Sequence, residues 1–256
     1  SLLCYRRKSL NEWPARATGR EFFLYNLITR KSKPIHVRDG EFRYHADHPI
    51  IRSPDGSRIA GKTEGIESSV QIRDLREDFI LNIQVPRDFS VVNYRFSPNG
   101  KRFAILSVFR ELVTGTEDGT KGRSDVPLLS IYESASGLLL AEHRILDYVR
   151  PFAKKVRKLP AAENYLVSTG EFLEFSNDGK FLAVSFGVGS GNTGRHSPRV
   201  AVFRFPSLEP TGFAQHPDVN IGVGEFIGKS AIGGRLRFSA DDRYIFTTSK
   251  FTKSWL

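Results

Sequence analysis

The sequence predicts an all-β protein assembled from one repeated unit. A four-residue turn motif recurs four times between strands that alternate apolar and polar residues, and an apolar strand follows each of the first three copies. Hydrophobic residues at 39%, with 20 Phe, are too rich for a solvated coil, so these strands have a core to bury. The 22 Gly and 13 Pro are spread along the chain and mark turns, with no collagen-like period. With 256 residues the chain is long enough for one large domain or two small ones.

In chain order, the first strand-like segment is 22–27 (FFLYNL), which has no turn motif of its own. The four motif copies follow at 51–60 (IRSPDGSRIA), 96–104 (FSPNGKRFA), 175–183 (FSNDGKFLA) and 238–246 (FSADDRYIF). Each reads strand, tight turn, strand, because Pro presets φ, Asp or Asn bonds back to the main chain and Gly accepts positive φ. Asp55, Gly100, Gly179 and Asp242 are expected at equivalent hairpin tips. Phe96, Phe175 and Phe238 share one repeat position and are expected to pack between neighbouring units.

The apolar strands that follow are 70–75 (VQIRDL), 128–133 (LLSIYE) and 200–205 (VAVFRF). The distance from turn serine to the end of this strand varies because of Gly-, Ser-, Thr- or charge-rich insertions at 111–127 and 187–198, which are expected to be loops. A third insertion, 145–163, carries the run ILDYVRPFAKKVRKL.

This order of elements resembles the WD-repeat and TolB-like β-propellers. The resemblance covers residue 22 to the end of the sequence and implies antiparallel four-stranded blades packed side by side. The Trp-Asp pair that names the first family is replaced by Tyr25-Asn26, Arg73-Asp74, Tyr132-Glu133 and Phe203-Arg204. The expected organisation is an N-terminal segment, 1–36, with an outer blade strand at 22–27, then blades over 37–256. Three blades are whole, at 37–86, 87–144 and 164–209, and a fourth begins near 220. The blades either close a small ring or form a slice of a longer propeller. The slice is favoured, because the sequence starts at Ser1, contains no Met and ends within an apolar strand.

Composition narrows the function. Lys plus Arg at 38 against Asp plus Glu at 28 leaves +10, which favours an acidic partner. No apolar run is long enough to span a bilayer. One cysteine excludes an internal disulfide framework or a Cys-based zinc site, and no leader pattern supports secretion, so a cytoplasmic location is expected.

Catalytic motifs fail their context. Gly189, Gly191 and Gly194 match the dinucleotide fingerprint, but a strand follows where a helix is required. The Gly228-Lys229-Ser230 end of a phosphate loop lacks its upstream glycine, since Val223 stands there. His45 and His48 would point to opposite faces of an extended segment, with no third ligand nearby. No nucleophile elbow is present. The expectation is a non-catalytic protein-interaction scaffold without cofactor or metal. Alternatives are a sensor or gating propeller of a larger enzyme, or a basic propeller that binds nucleic acid or another anion. The candidate contact residues for an acidic partner are Arg150, Lys154, Lys155, Arg157 and Lys158, interleaved with Tyr148, Phe152 and Val156. Other proteins are thus the expected partners, with nucleic acid less favoured.

Overall fold

A computed structural model describes residues 2–7, 20–25, 32–35, 50–63, 66, 68–114, 121–145, 147, 165–190, 195–215, 219–220 and 236–247. These residues form antiparallel sheets, and helical backbone among them is confined to Ile145 and Asp147. Two sheets are plain four-stranded meanders. One holds β4 (Ile51–Arg52), β5 (Arg58–Lys62), β6 (Ser69–Asp74) and β7 (Ile80–Gln84); the next holds β8 (Ser90–Phe96), β9 (Arg102–Thr114), β10 (Lys121–Glu133) and β11 (Leu139–Arg144). A third runs β12 (Tyr165–Phe175), β13 (Phe181–Ser190), β14 (Arg195–Arg204), β15 (Glu209–Gln215), with β16 (Val219–Asn220) added beside β14. The last described pair is β17 (Leu236–Phe238) with β18 (Ile245–Thr247).

The N-terminal segment differs from the expectation of a lone strand at 22–27. β2 (Arg20–Tyr25) is the middle of a three-stranded sheet, between β1 (Leu2–Arg7) and β3 (Ser32–Ile35). β3 pairs along β2, with Ser32 opposite Tyr25 and Ile35 opposite Phe22.

The same turn joins the first two strands of every later sheet. Ser53, Ser97, Ser176 and Ser239 accept the i+3 amide of Gly56, Gly100, Gly179 and Asp242 at 2.8–3.0 Å. Those four residues have positive φ, from 58° to 74°. The tip residues are therefore Gly56, Gly100, Gly179 and Asp242. Asp55 sits one position earlier, level with Asn99, Asp178 and Asp241, which corrects the register expected for it. Position 55 needs an acceptor rather than left-handed backbone. Its Oδ1 takes the Ser53 hydroxyl at 2.7 Å and the Ser57 amide at 3.1 Å. Asn99 and Asp178 repeat both bonds on Ser97 and Lys101, and on Ser176 and Lys180.

Sheets dock face to face in chain order. Ala60, Val70, Ile72 and Ile83 of the first meander share a core with Val91, Tyr94, Phe96, Phe103 and Ile105 of the second. From the other face of the second meander, Ala104, Leu106, Leu129 and Ile131 join Leu173, Phe175, Leu182, Val184, Phe186 and Phe203 of the third. Thus β9 buries alternate residues against two different neighbours. That is why 103–106 (FAIL) is apolar throughout, whereas a strand with one wet face would alternate. Phe96 and Phe175 are buried in these shared cores, and Phe238 is half-buried against Ala183, Val200 and Leu236. The aromatic repeat position packs between sheets, as its periodicity predicts.

Polar groups tie strands within each sheet and, at Arg58, one sheet to the next. In place of a Trp-Asp pair, the acid that ends the third strand pairs with the arginine that follows the turn: Asp74 with Arg58 at 3.2 Å and Glu133 with Arg102 at 3.4 Å. Arg58 also donates to the Ser134 hydroxyl of the next sheet at 3.0 Å. The expected loops at 111–127 and 187–198 are largely strand. β9 and β10 stay in register from Arg102 opposite Glu133 to Thr114 opposite Lys121, and β13 and β14 likewise pass through 187–190 and 195–198. Gly, Ser and Thr in those stretches read as loop residues, but a continuous hydrogen-bonded ladder overrides their low strand preference.

The acidic turn residues set a pH dependence. The Ser53 hydroxyl, seconded by that of Ser57, holds the Asp55 carboxyl at about 2, and the Lys180 amide does the same for Asp178, against an ordinary value of 3.8. Their folded values lie below the unfolded ones. Their stabilising contribution is therefore complete above pH 3.8 and is lost as pH falls toward 2. Asn99 occupies the equivalent place in the second turn and does not titrate. Asp178→Asn is expected to flatten the fall of melting temperature between about pH 4 and pH 2. An unchanged acid slope would show that the carboxylate is not what those bonds stabilise.

Candidate functional site

The five basic residues expected to meet an acidic partner, Arg150, Lys154, Lys155, Arg157 and Lys158, lie outside the described residues, as do His45, His48 and Gly228 to Ser230. Gly189 lies within β13 opposite His196 of β14, and strand resumes at Arg195, so the dinucleotide fingerprint has no helix to open. Among the described residues no group of three His, Cys, Asp or Glu is placed to hold a metal ion.

The site that does form is built by the first strand of each repeat. Successive residues of a strand face opposite ways. The residue just before each turn serine is Arg52, Phe96, Phe175 or Phe238, and the three phenylalanines enter the cores between sheets. The residue one step earlier is Ile51, Arg95, Glu174 or Arg237. Because β8 lies beside β12 and β12 beside β17, these residues come together from three sheets. Glu174 Oε2 lies 3.6 Å from Arg95 Nε, while its Oε1 accepts a short hydrogen bond from Arg237 Nη1. The side chains of Arg95, Glu174 and Arg237 are 27%, 20% and 55% exposed. Burial pulls the Arg95 guanidinium below its usual value, Glu174 works against that shift, and Arg237 adds to it.

This triad forms one wall of a cleft of about 410 Å³, whose other sides are Ile51, Arg52, Pro54 and Phe96. A second hollow of about 300 Å³ shares Pro54, Arg95, Phe96 and Glu174 and continues toward Pro98, Ser176 and Asn177. The two form a groove along the first strands, with the hairpin turns as its rim. Arg52 folds over its own turn, donating to the Gly56 carbonyl through Nε at 3.3 Å and Nη2 at 3.2 Å. The φ of 74° is what favours glycine at position 56, and a Cβ there would push the Arg52 guanidinium aside.

The turns meet along that rim. The Asp242 carboxylate accepts the Asn177 amide at 2.7 Å, Asn177 Nδ2 at 2.8 Å and the Asp178 amide at 2.8 Å. The serine hydroxyls are occupied: Ser176 Oγ donates to Asp178 and accepts the Phe181 amide at 2.9 Å. Two guanidiniums on one carboxylate leave a net positive charge in a partly desolvated groove, an arrangement suited to holding an anion.

Sequence reasoning passed over Arg95, Glu174 and Arg237. The readable signal is the column two residues before the turn serine, where three of the four aligned repeats carry charge.

No family model and no curated protein matches the chain. Among solved structures it is similar to Kuenenia stuttgartiensis hydrazine synthase, at 12% identity and a TM-score of 0.49, over 89% of this chain and 55% of that one. The chain thus spans about half the length of the structure it matches. At that score the likeness carries no argument about fold or activity. No helix among the described residues is long and apolar enough to cross a membrane.

Proposed function

We propose that the chain is a WD-repeat-like β-propeller, or a slice of one, acting as a non-catalytic scaffold for an acidic protein partner. The observation that carries the reading is the docking of consecutive antiparallel sheets through shared cores, with β8, β12 and β17 side by side. Each such sheet covers its faces with its neighbours, which is how a propeller blade becomes stable. The net charge of +10 supports an acidic partner, since a field of one sign raises the local concentration and the on-rate of the opposite one. Arg150, Lys154, Lys155, Arg157 and Lys158 belong to this proposal as an electrostatic contact patch.

Contacts between exposed charges are screened over about 8 Å at physiological salt. Binding of an acidic partner should therefore weaken markedly as salt rises. Neutralising Lys154, Lys155, Arg157 and Lys158 together is expected to reduce that salt dependence and leave the melting temperature nearly unchanged. If lysate pull-downs recover the same partners with equal salt sensitivity from the neutralised chain and the parent, the patch is not the contact surface.

A further inference from the structure

Resting on the acidic-partner reading, we infer that the groove along the first strands receives the carboxylates of an extended acidic peptide. Arg95 and Arg237 are its recognition groups, and Glu174 is a built-in competitor that holds them in place while the groove is empty. The stoichiometry of the triad is the first argument. Two guanidiniums present ten N–H donors between them, and one carboxylate has about four acceptor sites, so donor capacity and one positive charge remain. Arg95 and Glu174 are only 27% and 20% exposed, which raises the strength of any charge-assisted hydrogen bond formed with them.

Shape is the second argument. The two hollows share Pro54, Arg95, Phe96 and Glu174 and make one groove along the first strands of successive sheets. A compact anion would fill only the end beside Arg95 and Arg237, whereas an extended chain can lay one carboxylate there and run on past Pro54. Among the described residues, the aromatic rings at the groove are Phe96 and Phe175, and at 7% and 8% exposed neither offers a face on which a nucleobase would stack. A peptide is thereby favoured over single-stranded nucleic acid.

The test measures binding of a short fluorescent polyglutamate peptide to the full chain at low salt. Arg95→Gln and Arg237→Gln are each expected to weaken binding by about tenfold, the scale of a lost hydrogen bond to a charged group. Glu174→Gln is expected to tighten binding severalfold by freeing both guanidiniums, a gain that misfolding cannot produce. Unchanged or weaker binding by Glu174→Gln overturns the competitor role. If the arginine variants bind like the parent while the variant neutralised at Lys154, Lys155, Arg157 and Lys158 does not, the acidic-partner reading stands and the groove is excluded. A parent that does not bind the peptide removes both. Displacement of the peptide by inorganic phosphate at equal charge concentration would make the groove a small-anion site, and tighter binding of oligothymidine with the same arginine dependence would make it a nucleic-acid site. Either result overturns the peptide assignment.

Discussion

Phe175→Ala is expected to lower the free energy of unfolding by about 3 to 5 kcal/mol, the range for deleting a buried aromatic ring. Phe175 is 8% exposed and meets Phe205 edge to face, with ring centroids 5.0 Å apart. It stands in a core that also contains Ala104, Leu106, Leu129 and Ile131 of the preceding sheet, so its loss opens a cavity between two sheets rather than within one. The strands around it are fixed by their ladders and can collapse only partly, which places the cost high in the range. Phe246→Ala is the control. That ring is 62% exposed, and its removal should change stability by less than about 0.5 kcal/mol. Urea unfolding of the two variants measures both values, and near-equal midpoints would place Phe175 outside any shared core.

The second large effect belongs to a single hydroxyl. Ser176→Ala is expected to cost about 1 to 3 kcal/mol, because it leaves the Phe181 amide without its side-chain acceptor in a buried place. Ser176 is fully buried, its Oγ accepts that amide at 2.9 Å, and it donates to Asp178 at 2.8 Å. Ser239 makes the equivalent bonds, to Asp241 and the Tyr244 amide, in a turn where water can reach them. Ser239→Ala should therefore cost distinctly less than Ser176→Ala. Equal losses would mean that the hydroxyl acts by turn preference alone, independent of burial.

Much of this arrangement is legible in the sequence because local chemistry and tertiary packing agree. The turn needs a hydroxyl, an Asx oxygen and a left-handed residue in fixed order, and the four motif copies supply them. The one-residue misplacement of Asp55 arose because Asp can serve either as the acceptor or, as Asp242 does at φ 58°, as the left-handed residue. The apolar run at 103–106 signals burial on both faces, though only the structure shows that its two neighbours belong to different repeats.

Elsewhere the long range decides. Pairing of 121–124 with 111–114 continues a ladder that starts 9 to 12 residues away, at Arg102 and Glu133, and no local propensity in that stretch announces it. Likewise, β1 becomes visible only through its pairing with β2, Leu2 opposite Tyr25. The grouping of Arg95, Glu174 and Arg237 needs the docking of three sheets as well as the repeat alignment. Any one of these charges, read in its own strand, is indistinguishable from a solvent-facing residue.

The central claim is that consecutive repeats share their cores, as blades do. Amide hydrogen exchange on Phe175→Ala tests it most directly. A shared core predicts that protection falls in β9 and β10 of the preceding sheet as well as in β13 and β14, because the cavity opens both. Loss of protection confined to the sheet from β12 to β15, with β9 and β10 exchanging as in the parent, would contradict it.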